Sequence, residues 1–204
     1  MQAFLDAALN TAVMRYTYNY LRSIDRLPGV DSYREFKDFL YVLWFKLYGR
    51  ECRSDSSGFE HVFIGEVRRG KVLGMHNWIQ LLVEERKGNL DYLGFIPSRG
   101  VDGHEVPGAE HMMTISFRWR HCDEDRDGDG RDDEAPAIKE IGSSFFGTSP
   151  EFEMALYTLC LLGGESRNYC KLADRYRVDI VCHRIYGDKT GTCYPHVHGL
   201  DDDD

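Results

Sequence analysis

Two histidines, His61 and His76, stand fifteen positions apart, each with polar or acidic neighbours inside apolar sequence. Imidazole changes charge near neutral pH, so a pair of them can divide general-acid and general-base work. His61 sits in Ser56-Ser57-Gly58-Phe59-Glu60-His61-Val62-Phe63-Ile64-Gly65-Glu66. There Phe59, His61 and Phe63 alternate with Val62 and Ile64, a pattern that predicts a strand. Arg68-Arg69-Gly70-Lys71 is a turn signal. His76 then opens a helical spacing of Ile79, Leu82 and Val83 that closes at Lys87-Gly88-Asn89. A strand histidine and a helix-start histidine on a short connection can meet. Taken singly, each reads more readily as a structural histidine.

The elements that must hold this pair follow from the rest of the chain. Residues 3–22 place Phe4, Leu5, Ala8, Leu9, Ala12, Val13 and Tyr16 at helix spacing, up to a break at Leu27-Pro28-Gly29. Asp31-Ser32 starts a second helix through Phe36, Phe39, Leu40, Leu43 and Leu47, closed by Tyr48-Gly49. Its Tyr41, Trp44, Phe45 and Tyr48 read as core rather than base-stacking residues. Strands are predicted at 91–96, at 112–119 with Met113, Ile115, Phe117 and Trp119 on one face, and at 176–184. Pro150 and Glu151 open a helix ending at Gly163-Gly164, and Lys189-Thr190-Gly191 is a turn. His104 and His111, in and after a glycine-rich loop, read as solvated. Helices first, then strands with one more helix, predict an α+β fold with antiparallel sheets.

Length and composition allow one domain over residues 1–200, a helical part to about 50 and a mixed part after it, with Asp201 to Asp204 an acidic tail. No apolar run reaches a membrane span, and no secretory signal follows Met1. The compartment stays open between secreted and nuclear or cytoplasmic. The six cysteines contain no CxxC pair, which argues against zinc and leaves disulfides open. The net charge of −9 is local: residues 123–134 contribute −6 and the tail −4, so the remaining chain stands at +1. A basic cleft is therefore compatible with the overall acidity. In the acidic stretch Asp125, Asp127 and Asp129 precede Gly130 like the start of a calcium loop, and Asp133 can complete a weak cation site. Position 12 of such a loop would be Pro136, so a solvated acidic loop is the favoured reading.

Five separated blocks together carry a more specific signal. They are Ser56 to Phe63 with Gly65-Glu66, His76-Asn77-Trp78-Ile79-Gln80, Lys139 ahead of Gly142 to Glu153, Ala155 to Cys160, and Gly191-Thr192-Cys193-Tyr194-Pro195. In order and approximate spacing they resemble the uridylate-specific endoribonucleases of the EndoU family, over about residues 3–195. The resemblance implies a helical part followed by two sheets with a catalytic cleft between. It also implies a shortened domain, or one whose first part lies upstream. It maps a catalytic trio onto His61, His76 and Lys139. Which histidine is acid and which is base stays open, and their surroundings favour His76 as base and His61 as acid. Glu60 or Glu66 would support His61, and a helix terminus would keep His76 neutral. Ser143 and Ser144 would donate to phosphate, while Thr192 and Tyr194 would face uracil and ribose.

The substrate implied is single-stranded, uridine-rich RNA, cleaved by 2′-hydroxyl attack to leave a 2′,3′-cyclic phosphate. Stimulation by Mn2+ or Ca2+ is implied at a site the sequence leaves open. The insertion at 123–134 is not expected to be that site, because it falls where the family has little sequence. A monomer is expected. The alternative is a non-catalytic RNA- or calcium-binding module that retains the fold.

Overall fold

The computed structural model describes residues 2–49, 55–97, 112–120, 135–172 and 176–196. The stretches with His104, His111, Cys52, Cys122, the acidic insertion with Asp125, Asp127, Asp129 and Asp133, and the acidic tail lie outside the described residues. The helical beginning is three helices, α1 (Gln2–Leu9), α2 (Ala12–Ser23) and α3 (Tyr33–Phe45). The single helix predicted at 3–22 is broken at Asn10-Thr11, because the Thr11 hydroxyl bonds the Ala8 carbonyl and caps Met14 of α2. A reciprocal Ser32–Glu35 capping box starts α3. That helix stops at Phe45, short of the predicted Leu47, and Tyr48 instead bridges Ser56. Trp44, Phe45 and Tyr48 are buried, as their spacing predicts.

A five-stranded sheet follows, in the order β1 (Glu66–Arg68), β2 (Lys71–Leu73), β5 (Ala137–Phe145), β4 (Met112–Trp119) and β3 (Leu90–Ile96). Helix α4 (Trp78–Arg86) stands between β2 and β3 in the chain. A second sheet runs β6 (Arg167–Leu172), β7 (Tyr176–Ile185) and β8 (Lys189–His196), preceded by α5 (Pro150–Gly163). The fold is α+β as expected, but the larger sheet is not wholly antiparallel: β2 meets β5 in parallel at Lys71–Ile138. Periodicity did not reveal β5 or β6. The turn predicted at 189–191 sits three residues earlier, where Tyr186 and Gly187 take positive φ.

Two apolar cores hold these layers. The larger joins α1, α2, α3 and α5 to the inner face of the small sheet, through residues such as Leu21, Phe36, Trp44, Tyr157, Ile180 and Cys193. The smaller packs Val72, Leu81, Phe117 and Trp119 between α4 and the five-stranded sheet. Met113 is exposed although Ile115, Phe117 and Trp119 of its predicted face are buried. The β4–β5 register slips between Ile115–Gly142 and Phe117–Lys139, so one face is not continuous along the strand. Cys160, Cys170, Cys182 and Cys193 are free thiols. No helix among the described residues is long and apolar enough to cross a membrane.

Candidate active site

His61 lies not on a strand but in a π-helical segment, Glu60–Ile64, entered through one helical turn at Gly58-Phe59. Ser57 starts it, its carbonyl accepting the His61 amide and its hydroxyl the Glu60 amide. A short apolar run fits either period, and tertiary contacts decide. Phe63 packs on Phe59, Trp44 and Tyr157, and Val62 is fully buried, so a helical face goes into the core. Single π turns recur at functional sites.

The hairpin β1–β2 turns at Arg69-Gly70, both with positive φ, and returns the chain alongside this segment. The Met75 amide then donates to the His61 carbonyl at 2.9 Å and the His76 amide to the Val62 carbonyl at 2.8 Å. That close passage requires Gly74: its φ is +65°, and a Cβ there would stand 1.8 Å from the His61 carbonyl oxygen. Asn77 caps α4 through the amides of Ile79 and Gln80, which sets His76 just before the helix.

His61, His76, Lys139, Ser143 and Tyr194 line one cavity of about 380 Å³. His61 and His76 are both buried. Glu66 supplies the carboxylate beside His61, its Oε1 3.4 Å from the ring Nδ1. Ser56 donates to that same oxygen at 2.5 Å, while Arg68 pairs with Oε2 at 3.1 Å. Glu60 is half-buried in the π-helical segment. His76 donates from Nδ1 to the Ser143 carbonyl at 2.8 Å, which leaves the lone pair of the neutral ring on Nε2. Tyr194 stacks on the same imidazole, with centroids 4.9 Å apart.

Burial above all, then the charges of Lys139 and His61, holds His76 well below the ordinary histidine range. The helix start, offered by the sequence as the reason, is not the leading cause. Lys139 is buried on β5, and desolvation pulls its ammonium down to about 8. Gly142 leaves it room, since a Cβ there would press on its methylenes at 3.1 and 3.2 Å. A neutral imidazole beside a shifted lysine implies a definite pH response. A base at His76 is competent above its lowered pKa, so the acid limb of any reaction here is expected below pH 6.5. Lys139 loses its charge as pH rises through about 8, so the rate is expected to fall above that value. A kcat–pH profile tests both limbs, and an acid limb at or above 6.5 removes His76 from the role of base.

Two expected site residues are not in the cavity lining. Ser144 is buried and absent from the cavity lining, whereas Ser143 is part of it. Neighbouring strand residues point to opposite faces, which is why only one of the two side chains is in the lining. Thr192 is half-buried and not in the lining, though it shares the face of β8 with Tyr194. Three residues went unnoticed in the sequence. Thr114 lines the cavity as the register partner of Ser143. His196 lines it two residues beyond Tyr194. Glu153 of α5, fully buried, accepts from Asn77 at 3.2 Å and Thr148 at 2.6 Å and so braces the cap next to His76. Its burial pushes its carboxyl up to about 7. Strand alternation could have suggested Thr114 and His196; Glu153 closes one of the five blocks, but its spacing does not mark it as a brace for Asn77.

The candidate metal ligands Asp125, Asp127, Asp129 and Asp133 lie outside the described residues. No group of three or more His, Cys, Asp or Glu among the described residues is arranged to hold a metal ion. The carboxylate nearest the histidines, Glu66, is engaged by Ser56, His61 and Arg68.

Comparison with known proteins bears on this arrangement. The family model described as Endoribonuclease XendoU matches residues 1–195. Uridylate-specific endoribonuclease B of Danio rerio is 38% identical over 195 residues, 94% of this chain and 62% of that protein. Poly(U)-specific endoribonuclease-B of Xenopus laevis is 37% identical over 198 residues, 94% of this chain and 61% of that protein. The chain thus spans about three fifths of the length of these relatives. The solved structure of XendoU, described as a splicing-independent snoRNA processing endoribonuclease, superposes with a TM-score of 0.74 at 35% identity. It covers 96% of this chain and 67% of its own.

Proposed function

Because this chain belongs to the Endoribonuclease XendoU family, we propose that it cleaves single-stranded RNA at uridylates, leaving 2′,3′-cyclic phosphate ends. The observation that carries the reading is that His61, His76 and Lys139 line the same cavity. His76 takes the proton of the 2′-hydroxyl through Nε2. The 2′-oxygen bonds to phosphorus, the bond from phosphorus to the 5′-oxygen breaks, and His61 delivers its proton to that oxygen. Glu66 orients His61, and its charge favours the protonated ring that an acid requires. Lys139, with Ser143 beside it, offsets the charge that develops on the phosphate oxygens. Tyr194 holds the plane of His76 and supports the sugar and base, with Thr192 at the edge of the same strand face.

No step runs through a metal. Any Mn2+ or Ca2+ stimulation would act through residues outside this trio.

The test is cleavage of uridine-rich and adenine-rich single strands, with the product end identified by mass. Cleavage after uridine with a cyclic phosphate is expected, and duplexes should be cut poorly because pairing hides the base edge. Equal rates on poly-uridine and poly-adenine would overturn the specificity. Tight binding without cleavage would favour a module that keeps the fold but not the turnover.

A further inference from the structure

The cavity wall includes His196, a residue in none of the five sequence blocks. It ends β8 and pairs across the strands with Asp179 of β7. Asp179 is 0% exposed, and its carboxylate accepts from Arg167 Nε at 3.2 Å. Arg167, on β6, contacts His196 Nδ1 through Nη2 at 2.9 Å. A guanidinium only donates, so Nδ1 accepts and the proton of that ring sits on Nε2. A chain of three side chains therefore crosses the small sheet from a buried carboxylate to the cavity. A buried ion pair is weak evidence for stability, because desolvation offsets its attraction. Its evident use here is to hold a guanidinium in one orientation, with 41% of that side chain still open to solvent.

We propose that Arg167 and His196 form a subsite for a phosphate next to the scissile one. This rests on the endoribonuclease reading above. The guanidinium and the Nε2 proton are donors, which suits an anionic oxygen rather than a base edge that mixes donors and acceptors. His196 lies two positions beyond Tyr194 on the same face of β8, roughly 7 Å along the strand. That distance is of the order of one nucleotide step in an extended strand. A nucleotide whose sugar lies against Tyr194 would thus bring its neighbouring phosphate toward Arg167 and His196.

The experiment compares two substrates. One is a uridine dinucleoside phosphate, with a single linkage. The other is a five-nucleotide strand carrying one ribouridine among deoxynucleotides, made also with a neutral methylphosphonate on either side of the scissile linkage. His196→Ala is the principal variant, because it leaves the Arg167–Asp179 pair intact. Arg167→Gln would remove the charged partner of a buried carboxylate and can fail to fold. His196→Ala is expected to lower kcat/KM on the five-nucleotide strand about tenfold, mainly through KM, the scale of one hydrogen bond to a charged group. The loss on the dinucleoside should be several-fold smaller. One of the two methylphosphonates should weaken the parent by a similar factor and leave the variant little further affected.

Equal losses on both substrates, or equal methylphosphonate effects in parent and variant, would overturn the subsite. If the parent cleaves neither substrate, the activity reading is what fails. Binding of the all-deoxy strand then decides the subsite by the same comparison: methylphosphonate sensitivity in the parent and indifference in His196→Ala support it, and equal sensitivity sinks it.

Discussion

Replacing either His61 or His76 by alanine is expected to lower cleavage about 10²–10⁴-fold while leaving the fold in place. Each ring enters the cavity from a backbone that other groups secure. The His61 segment is anchored by Phe63 and Val62 in the larger core, and His76 by the Asn77 cap and its Glu153 brace. Loss of His76 removes one donor to the Ser143 carbonyl and the stacking partner of Tyr194. Those losses are small beside the removal of the base. Loss of His61 leaves Glu66 with Ser56 and Arg68 as partners, so its carboxylate is not stranded. Single-turnover rates with thermal melts of each variant make the measurement. A folded variant that cleaves at near-parent rate would remove that histidine from the mechanism.

The second large effect is expected at a residue with no side chain. Gly74→Ala should destabilise the protein by about 3–5 kcal/mol, the range reserved for backbone strain and core disruption, and should abolish most cleavage in whatever fraction folds. Positive φ alone costs a non-glycine residue roughly 1–2 kcal/mol. Here the added Cβ would also meet the His61 carbonyl oxygen at 1.8 Å and its carbon at 2.6 Å. Neither is the movable end of a side chain. Relief would part Met75 from the His61 carbonyl and so separate the two histidine segments. Gly70→Ala is the control, because its φ is +73° but nothing stands within 4 Å of its Cβ. Denaturant unfolding of the two variants separates the causes. If Gly70→Ala loses as much stability as Gly74→Ala, strain rather than close approach is responsible.

These two effects show how differently the site's parts could be read. His61, His76 and Lys139 could be named because five blocks in order resemble a known family; taken singly, each histidine reads as structural and Lys139 as a surface lysine. The helices were legible because apolar positions recur every three or four residues and caps such as Ser32–Glu35 are local. The α+β class followed from the order of those elements. What one-dimensional spacing left undetermined depended on contacts between distant segments. His61 is helical because Val62 and Phe63 are drawn into a core built from α3 and α5, and no short window contains that core. Ser143 and Ser144 are alike in sequence, yet only one lines the cavity, because pleat and register choose the face. The choice of Glu66 beside His61, the Glu153 brace and the Asp179–Arg167–His196 chain are likewise tertiary. Sequence alone determined which groups were available for chemistry and roughly where the amphipathic helices would lie, though not the break at Asn10-Thr11 or the helical state of the His61 segment. Only the folded chain decided which groups meet, because burial and hydrogen-bond geometry are properties of neighbours in space rather than neighbours in sequence.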